Sequence, residues 1–211
     1  MTNFLQFIEK PIYPSSFIKM NWGVFFLMLF FFFVCSLPFA SIGFITLKLT
    51  RITRIPLELT LYKKVLFGII LAPIYEEVLL RLLLVFSKRN IAIFISCCAL
   101  LLIYLCIKSS PKFLIFSTLI IVISILYLYY NQCFDFINSH FKLFFYFSAL
   151  LFGLIHIFNF TGITGYNLIF TPLLVLPQIF MGFILGYIRV NYGFRYGVLF
   201  HSIVNVSILL A

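Results

Sequence analysis

Glu76, Glu77 and Arg81 stand inside an apolar run, residues 65–86, that contains no other charge. A charge at the centre of a membrane-spanning helix costs roughly 2.5–3.5 kcal/mol, so residues kept there mark ion paths, proton relays or reaction sites. Glu77 and Arg81 are four apart with the acid first, the order that favours a helical ion pair. Glu76 lies about 100° round the helix and needs another partner. Two further apolar runs offer partners: Phe152-Gly-Leu-Ile-His156, and His201-Ser-Ile-Val-Asn205, whose His and Asn share a helix face. A carboxylate and an imidazole in a water-poor pocket can take a proton from water. Preorganised His and Asn donors can stabilise an oxyanion. Glu76, His156 and His201 are also the number and type of ligands that a catalytic zinc takes. Plainer readings stand beside these: a hydrogen-bonded packing His, a structural Glu–Arg pair, an Asn bridging two helices. No Ser or Cys has the neighbours needed for a covalent mechanism.

The elements that position these groups follow from composition. The 211 residues are 64% hydrophobic and 9% charged, against about 45–50% and about 25% in soluble domains. A soluble globular protein is excluded, as are a disordered chain, a collagen and a disulfide scaffold. The long unbroken apolar runs predict an all-α, polytopic transmembrane bundle of seven to eight segments, forming one integral domain over residues 1–211. The expected spans are 22–47, 65–86, 91–107, 113–130, 143–160, 166–188 and 196–211. The first is too long for a signal-peptide core and reads as an anchor. Residues 1–19 form an interfacial segment, 48–64 a basic connector, 131–142 a polar loop and 189–195 a basic turn. Pro73 is placed to bend its helix and open a polar cavity. Gly182 and Gly186 have the small-xxx-small spacing that lets helices approach closely.

Fifteen Lys and Arg against five acids give a net charge of +10. These cations punctuate apolar runs, which points to anionic lipid and not to nucleic acid. With seven crossings they divide seven against seven, so the positive-inside rule gives no orientation. In that count His156 and His201 fall near opposite faces. A broken or re-entrant passage at Pro172 and Pro177 would bring them to one face and move Arg189 and Arg195 to the connector side. Of the five cysteines, Cys35, Cys97, Cys98 and Cys106 lie in apolar runs and Cys133 does not, and no CxxC pair occurs. They read as small core hydrophobes.

At these residues the chain resembles the CPBP intramembrane proteases, the CAAX protease and bacteriocin-processing (Abi) family, named both as metalloproteases and as glutamate proteases. Its EExxxR motif is Glu76-Glu77-Val-Leu-Leu-Arg81, preceded by Pro73. Its FxxxH motif ends on His156, and its HxxxN motif is His201 to Asn205, preceded by the Gly182 and Gly186 helix. The resemblance covers about residues 71–211, in a core of about 65–211. Two departures are Leu82, where members commonly carry Gly, and a longer stretch between the first two motifs holding an inserted hairpin, about 91–130.

The resemblance implies a multi-pass cell-membrane endopeptidase acting on a peptide or membrane-associated protein. Glu76 with His156 would activate water, His201 and Asn205 would stabilise the oxyanion, and Glu77 and Arg81 would support the site. It implies no cofactor, with zinc as the variant. The small size favours a bacterial-type member that acts on peptides other than prenylated ones. Two alternatives come from other classes. One is a non-catalytic relative, such as a bacteriocin self-immunity factor or scaffold. The other is an ion-coupled transporter, which the lack of an internal repeat disfavours.

Overall fold

A computed structural model gives the architecture and describes residues 2–56, 60–107 and 113–210. Apolar chain in lipid must satisfy its backbone internally, and among the described residues the regular structure is helical apart from two strands of two residues each. Helix α1 is Thr2–Glu9 and α2 is Trp22–Thr50. Asn21 caps α2 by accepting from the Gly23 and Val24 amides. At its 29 residues α2 is about 44 Å long. The chain then turns through Arg51, at φ 59°, into β1, Thr53–Arg54.

The segment bearing the acid pair runs through α3 (Leu61–Lys63), a π-helical stretch (Lys64–Leu71) and α4 (Ala72–Arg81), then closes in a 3-10 turn, Leu82–Leu84. Helices α5 (Lys88–Ile107) and α6 (Phe113–Leu128) pack on each other. The turn expected between them, residues 108–112, lies outside the described residues. After α6 the chain bends by 97° into α7, Tyr130–Ser139. Helix α8, Phe141–Ile155, leads through a 3-10 turn to β2, Phe160–Thr161. Helices α9 (Thr171–Leu174), α10 (Leu176–Asn191) and α11 (Phe194–Leu210) complete the chain.

The centre of the bundle is α8 against α10, where small residues allow backbone contact. A Cβ on Gly182 would lie 2.5 Å from the Ala149 carbonyl oxygen, and Gly153 faces Ile179 while Gly186 faces Phe145. Residue numbers fall on one helix as they rise on the other, so the pair is antiparallel. On the flank, Phe25 of α2 meets Phe200 of α11 edge-on at 5.6 Å. Phe4 and Phe7 of α1 tuck against Tyr187.

Two expectations change. Residues 131–142 are not a loop: α7 is a helix, because Tyr130, Cys133, Phe134 and Ile137 form a stripe at helical spacing that packs in the cluster around Phe94 and Cys98. Among the described residues three helices have the length and hydropathy of a span, or up to five if each bent pair counts as one, and this measure does not confirm the expected seven to eight segments. The helix with the acid pair is interrupted by its π-helical stretch, and α11 has 17 residues with His201 and Asn205 among them. The break expected at Pro172 and Pro177 is present, as a 53° bend between residues 168–174 and α10 of the kind a broken span or a re-entrant passage makes. The turn after α10 stays at the far end, where the Ile18 amide donates to the Asn191 carbonyl at 2.7 Å and Phe17 lies against Gly193. Arg189 and Arg195 therefore remain at the Lys19 end of the bundle, away from the connector.

Candidate active site

The acid motif sits on a helix whose two ends are unusual. Proline in a helix removes an N–H and crowds the carbonyl four residues back. Pro73 enters α4 in its first turn, and the wider π-helical turns directly before it relieve that crowding. Such turns recur at functional sites. Here they leave the Gly68 carbonyl free to accept from Asn205 Nδ2 at 2.8 Å, which fastens α11 to the acid-bearing segment.

At the other end the carbonyls released by the 3-10 turn are met by side chains from three helices. Ser148 of α8 donates to the Leu80 carbonyl at 2.7 Å. Arg189 of α10 donates through Nε to Arg81 and through Nη2 to Leu82, at 3.3 and 3.0 Å. Asn90 of α5 donates to Val85 at 2.6 Å and to Leu82 at 3.4 Å. Helix ends buried without partners are costly, and this collar holds the end of α4. Leu82 adopts φ −57° there, so the position needs no glycine.

Between those ends lies a buried charge cluster. Arg81 Nη1 and His201 Nδ1 both donate to Glu77 Oε1, the second at 3.1 Å. Glu77 and Arg81 are fully buried. The Arg81 guanidinium stacks 3.9 Å above the Phe152 ring, whose edge contacts reach His156 and His201. The Phe152 ring thus lies between the Arg81 guanidinium and the two imidazoles. Gly197 leaves room for the Glu77 carboxylate, since a Cβ there would lie 3.2 Å from Oε2.

Glu76 faces the other way, into a cavity of about 680 Å³ lined also by Arg54, Lys64, His156, His201 and Asn205. Its Oε2 is 3.7 Å from His201 Nε2 and 3.9 Å from His156 Nε2 and has no direct hydrogen bond. His156 Nδ1 lies 2.7 Å from the Phe152 carbonyl. A carbonyl only accepts, so Nδ1 carries the hydrogen and neutral His156 turns an unprotonated Nε2 to Glu76. His201 is oriented likewise, with Nδ1 on Glu77. The cavity is also lined by Arg54 of β1, which pairs antiparallel with β2, Arg54 opposite Phe160.

Glu76, His156 and His201 therefore converge, Glu77 and Arg81 lie directly behind them, and Asn205 lines the same cavity with one amide N–H committed to Gly68. The two imidazoles meet because His201 lies midway along α11, so its depth and not an extra crossing brings it to His156. Among the described residues, no group of three His, Cys, Asp or Glu side chains has metal-holding geometry. Arg189, placed by the sequence in a basic turn, is buried. Its signal was spacing: Gln178, Gly182, Gly186 and Arg189 lie on one face of α10, the face turned to α8 and α4.

A family model described as Rce1-like, type II CAAX prenyl endopeptidase, matches residues 58–207. The chain belongs to the Rce1-like family. The match spans all three motifs and every residue of the cluster. Membership implies a CAAX-type endopeptidase embedded in a membrane, in keeping with the apolar helices. No curated protein and no solved structure matches the chain.

Proposed function

We propose that this Rce1-like chain is an intramembrane endopeptidase in which Glu76 and His156 activate a water and His201 and Asn205 bind the oxyanion. The observation that carries this reading is the convergence of two imidazole Nε2 atoms on one oxygen of Glu76, with both Nδ1 atoms engaged elsewhere. Separations of 3.7 and 3.9 Å are too long for direct hydrogen bonds, so both imidazoles stay free to act on a water held in the cavity at Glu76. That water gives a proton to Glu76, aided by His156, as its oxygen bonds to the scissile carbonyl carbon. The carbonyl oxygen takes the negative charge. In its imidazolium form His201 offers Nε2–H to that oxygen, and Glu77 at Nδ1 balances the charge. Asn205 offers its second amide N–H. The proton held by Glu76 then passes to the departing amine as the C–N bond breaks.

The substrate is a peptide or membrane-associated protein whose scissile bond reaches the cavity from the β1–β2 end, in a chain that crosses the cell membrane several times. Glu76→Gln tests the reading in purified protein reconstituted in vesicles, with cleavage followed by mass spectrometry. General acid–base groups contribute roughly 10²–10⁴-fold, and a loss of that size is expected with unchanged thermal unfolding. Retention of the cellular phenotype by Glu76→Gln would instead mark a non-catalytic immunity or scaffold protein.

A further inference from the structure

The cavity at Glu76 has two walls of different kinds. One is a face of the acid-bearing segment, on which Lys64, Gly68, Ala72 and Glu76 recur every four residues. Gly68 and Ala72 are small, so this wall leaves room along about 18 Å of helix at about 1.5 Å per residue. The other wall is Arg54, Ile55 and Pro56, three residues in succession, whereas neither residue of β2 lines the cavity. The cavity therefore runs beside β1, on the edge away from β2.

That edge carries unpaired main-chain groups. The Ile55 amide donates to the Asn159 carbonyl at 2.9 Å, continuing the register in which Thr53 stands opposite Thr161 and Arg54 opposite Phe160. In an antiparallel pair the main-chain groups of successive residues turn to opposite edges. Thr53 and Ile55 thus face β2, and the N–H and C=O of Arg54 face the open edge. Among the described residues neither group meets a backbone partner outside the ladder. Pro56, next on that edge, has no N–H, so the edge offers one full donor–acceptor pair and then stops. A lipid acyl chain brings these groups nothing, and a helix has already paired its own. The backbone of an extended peptide brings both a donor and an acceptor at matching spacing.

We propose that the substrate docks in extended form, as a strand added to the open edge of β1 that exchanges two backbone hydrogen bonds with Arg54. The proposal rests on the peptidase reading and gives the conformation of peptide that the site accepts. A 3-10 turn, His156–Asn159, leads directly into β2. The ladder that carries the added strand is therefore fixed to a residue that acts on the scissile bond. About five residues, at about 3.3 Å each, fill the stretch from Lys64 to Glu76. A segment that crosses the membrane as a helix has to unwind before it can be cut.

The test uses the full Glu76→Gln chain in vesicles and a fluorescent peptide of Ala and Leu, made in versions that each carry one N-methylated amide. Binding is read by anisotropy. A methyl on the amide that donates to the Arg54 carbonyl removes one hydrogen bond and should weaken binding about three- to tenfold. A methyl on either neighbouring amide, which points to the other edge of the added strand, should change it by less than about twofold. In the same protein, Arg54→Pro deletes the donor on the open edge and leaves the ladder bonds of Thr53 and Ile55 in place. It should bind the parent peptide several-fold more weakly than Arg54→Ala, which keeps that donor and removes the same side chain. Thermal unfolding shows whether each variant is folded, and if Arg54→Pro is not, the methyl scan decides by itself. Alternation in the scan supports the added strand even if the wild-type chain cuts nothing, and absence of cutting then overturns the peptidase reading alone. The added strand is overturned if the parent peptide does not bind, if methyls at successive amides cost the same, or if folded Arg54→Pro binds as well as Arg54→Ala.

Discussion

Substituting Gly182 by Ala tests whether the contact between α8 and α10 sets the catalytic geometry. The added Cβ would lie 2.5 Å from the Ala149 carbonyl oxygen and 3.0 Å from its Cα, where ordinary contact begins at 3.4 Å. Both atoms are backbone and cannot rotate away, so the helices must part by about 0.9 Å. A gap of 0.5–1 Å forfeits roughly a quarter to a half of the dispersion energy of the atoms it separates, and overpacking of this kind costs about 1–3 kcal/mol. His156 caps the C-terminal end of α8, so the same movement shifts its Nε2, already 3.9 Å from Glu76. A displacement near 1 Å can cost about 100-fold in rate. Thermal unfolding in detergent and kcat on one peptide, measured on the same preparation, should both fall. Gly186→Ala is the internal control: its Cβ would meet Phe145 Cε2 at 2.8 Å, the outer edge of a ring that can turn, so its loss should be smaller. Gly182→Ala with wild-type stability and rate, or Gly186→Ala as the more damaging of the two, would refute the close-packing account.

Removing one partner of a buried ion pair costs about 3–5 kcal/mol, so Arg81→Leu should strongly lower the unfolding temperature, and Glu77→Leu with Arg81→Leu should recover part of the stability but none of the activity. Arg189→Met strips two donors from the end of α4 and should destabilise the fold and reduce kcat, read by unfolding and cleavage assays; full activity would show that the collar is not needed. Cysteines placed at Ile55 and Phe158, in a chain lacking its own, should react with a membrane-impermeant maleimide from one side, and one at Arg195 from the other. Water activation by Glu76 and His156 predicts cleavage unchanged by excess chelator, whereas one zinc per chain by elemental analysis would recast Glu76, His156 and His201 as ligands.

What the sequence determined by itself was chemical identity and helical register. In a chain with 9% charge, every ionisable group inside an apolar run stands out by its cost, so Glu76, Glu77 and Arg81 were legible without coordinates. The i,i+4 spacing alone predicted that Arg81 would pair with Glu77. The stripe in residues 130–137 was not legible, because its four apolar positions are diluted by Asn131, Gln132 and Asp135. Only the tertiary structure decided what approaches what across helices. It shows Glu77 shared between Arg81 and His201, Asn205 spent partly on Gly68, and Arg189 buried against the carbonyls of α4. Local spacing fixes a face of one helix, whereas depth and partner depend on how several helices stack. That stacking is set here by three glycines on α8 and α10, whose effect is felt only when the facing backbone is in place.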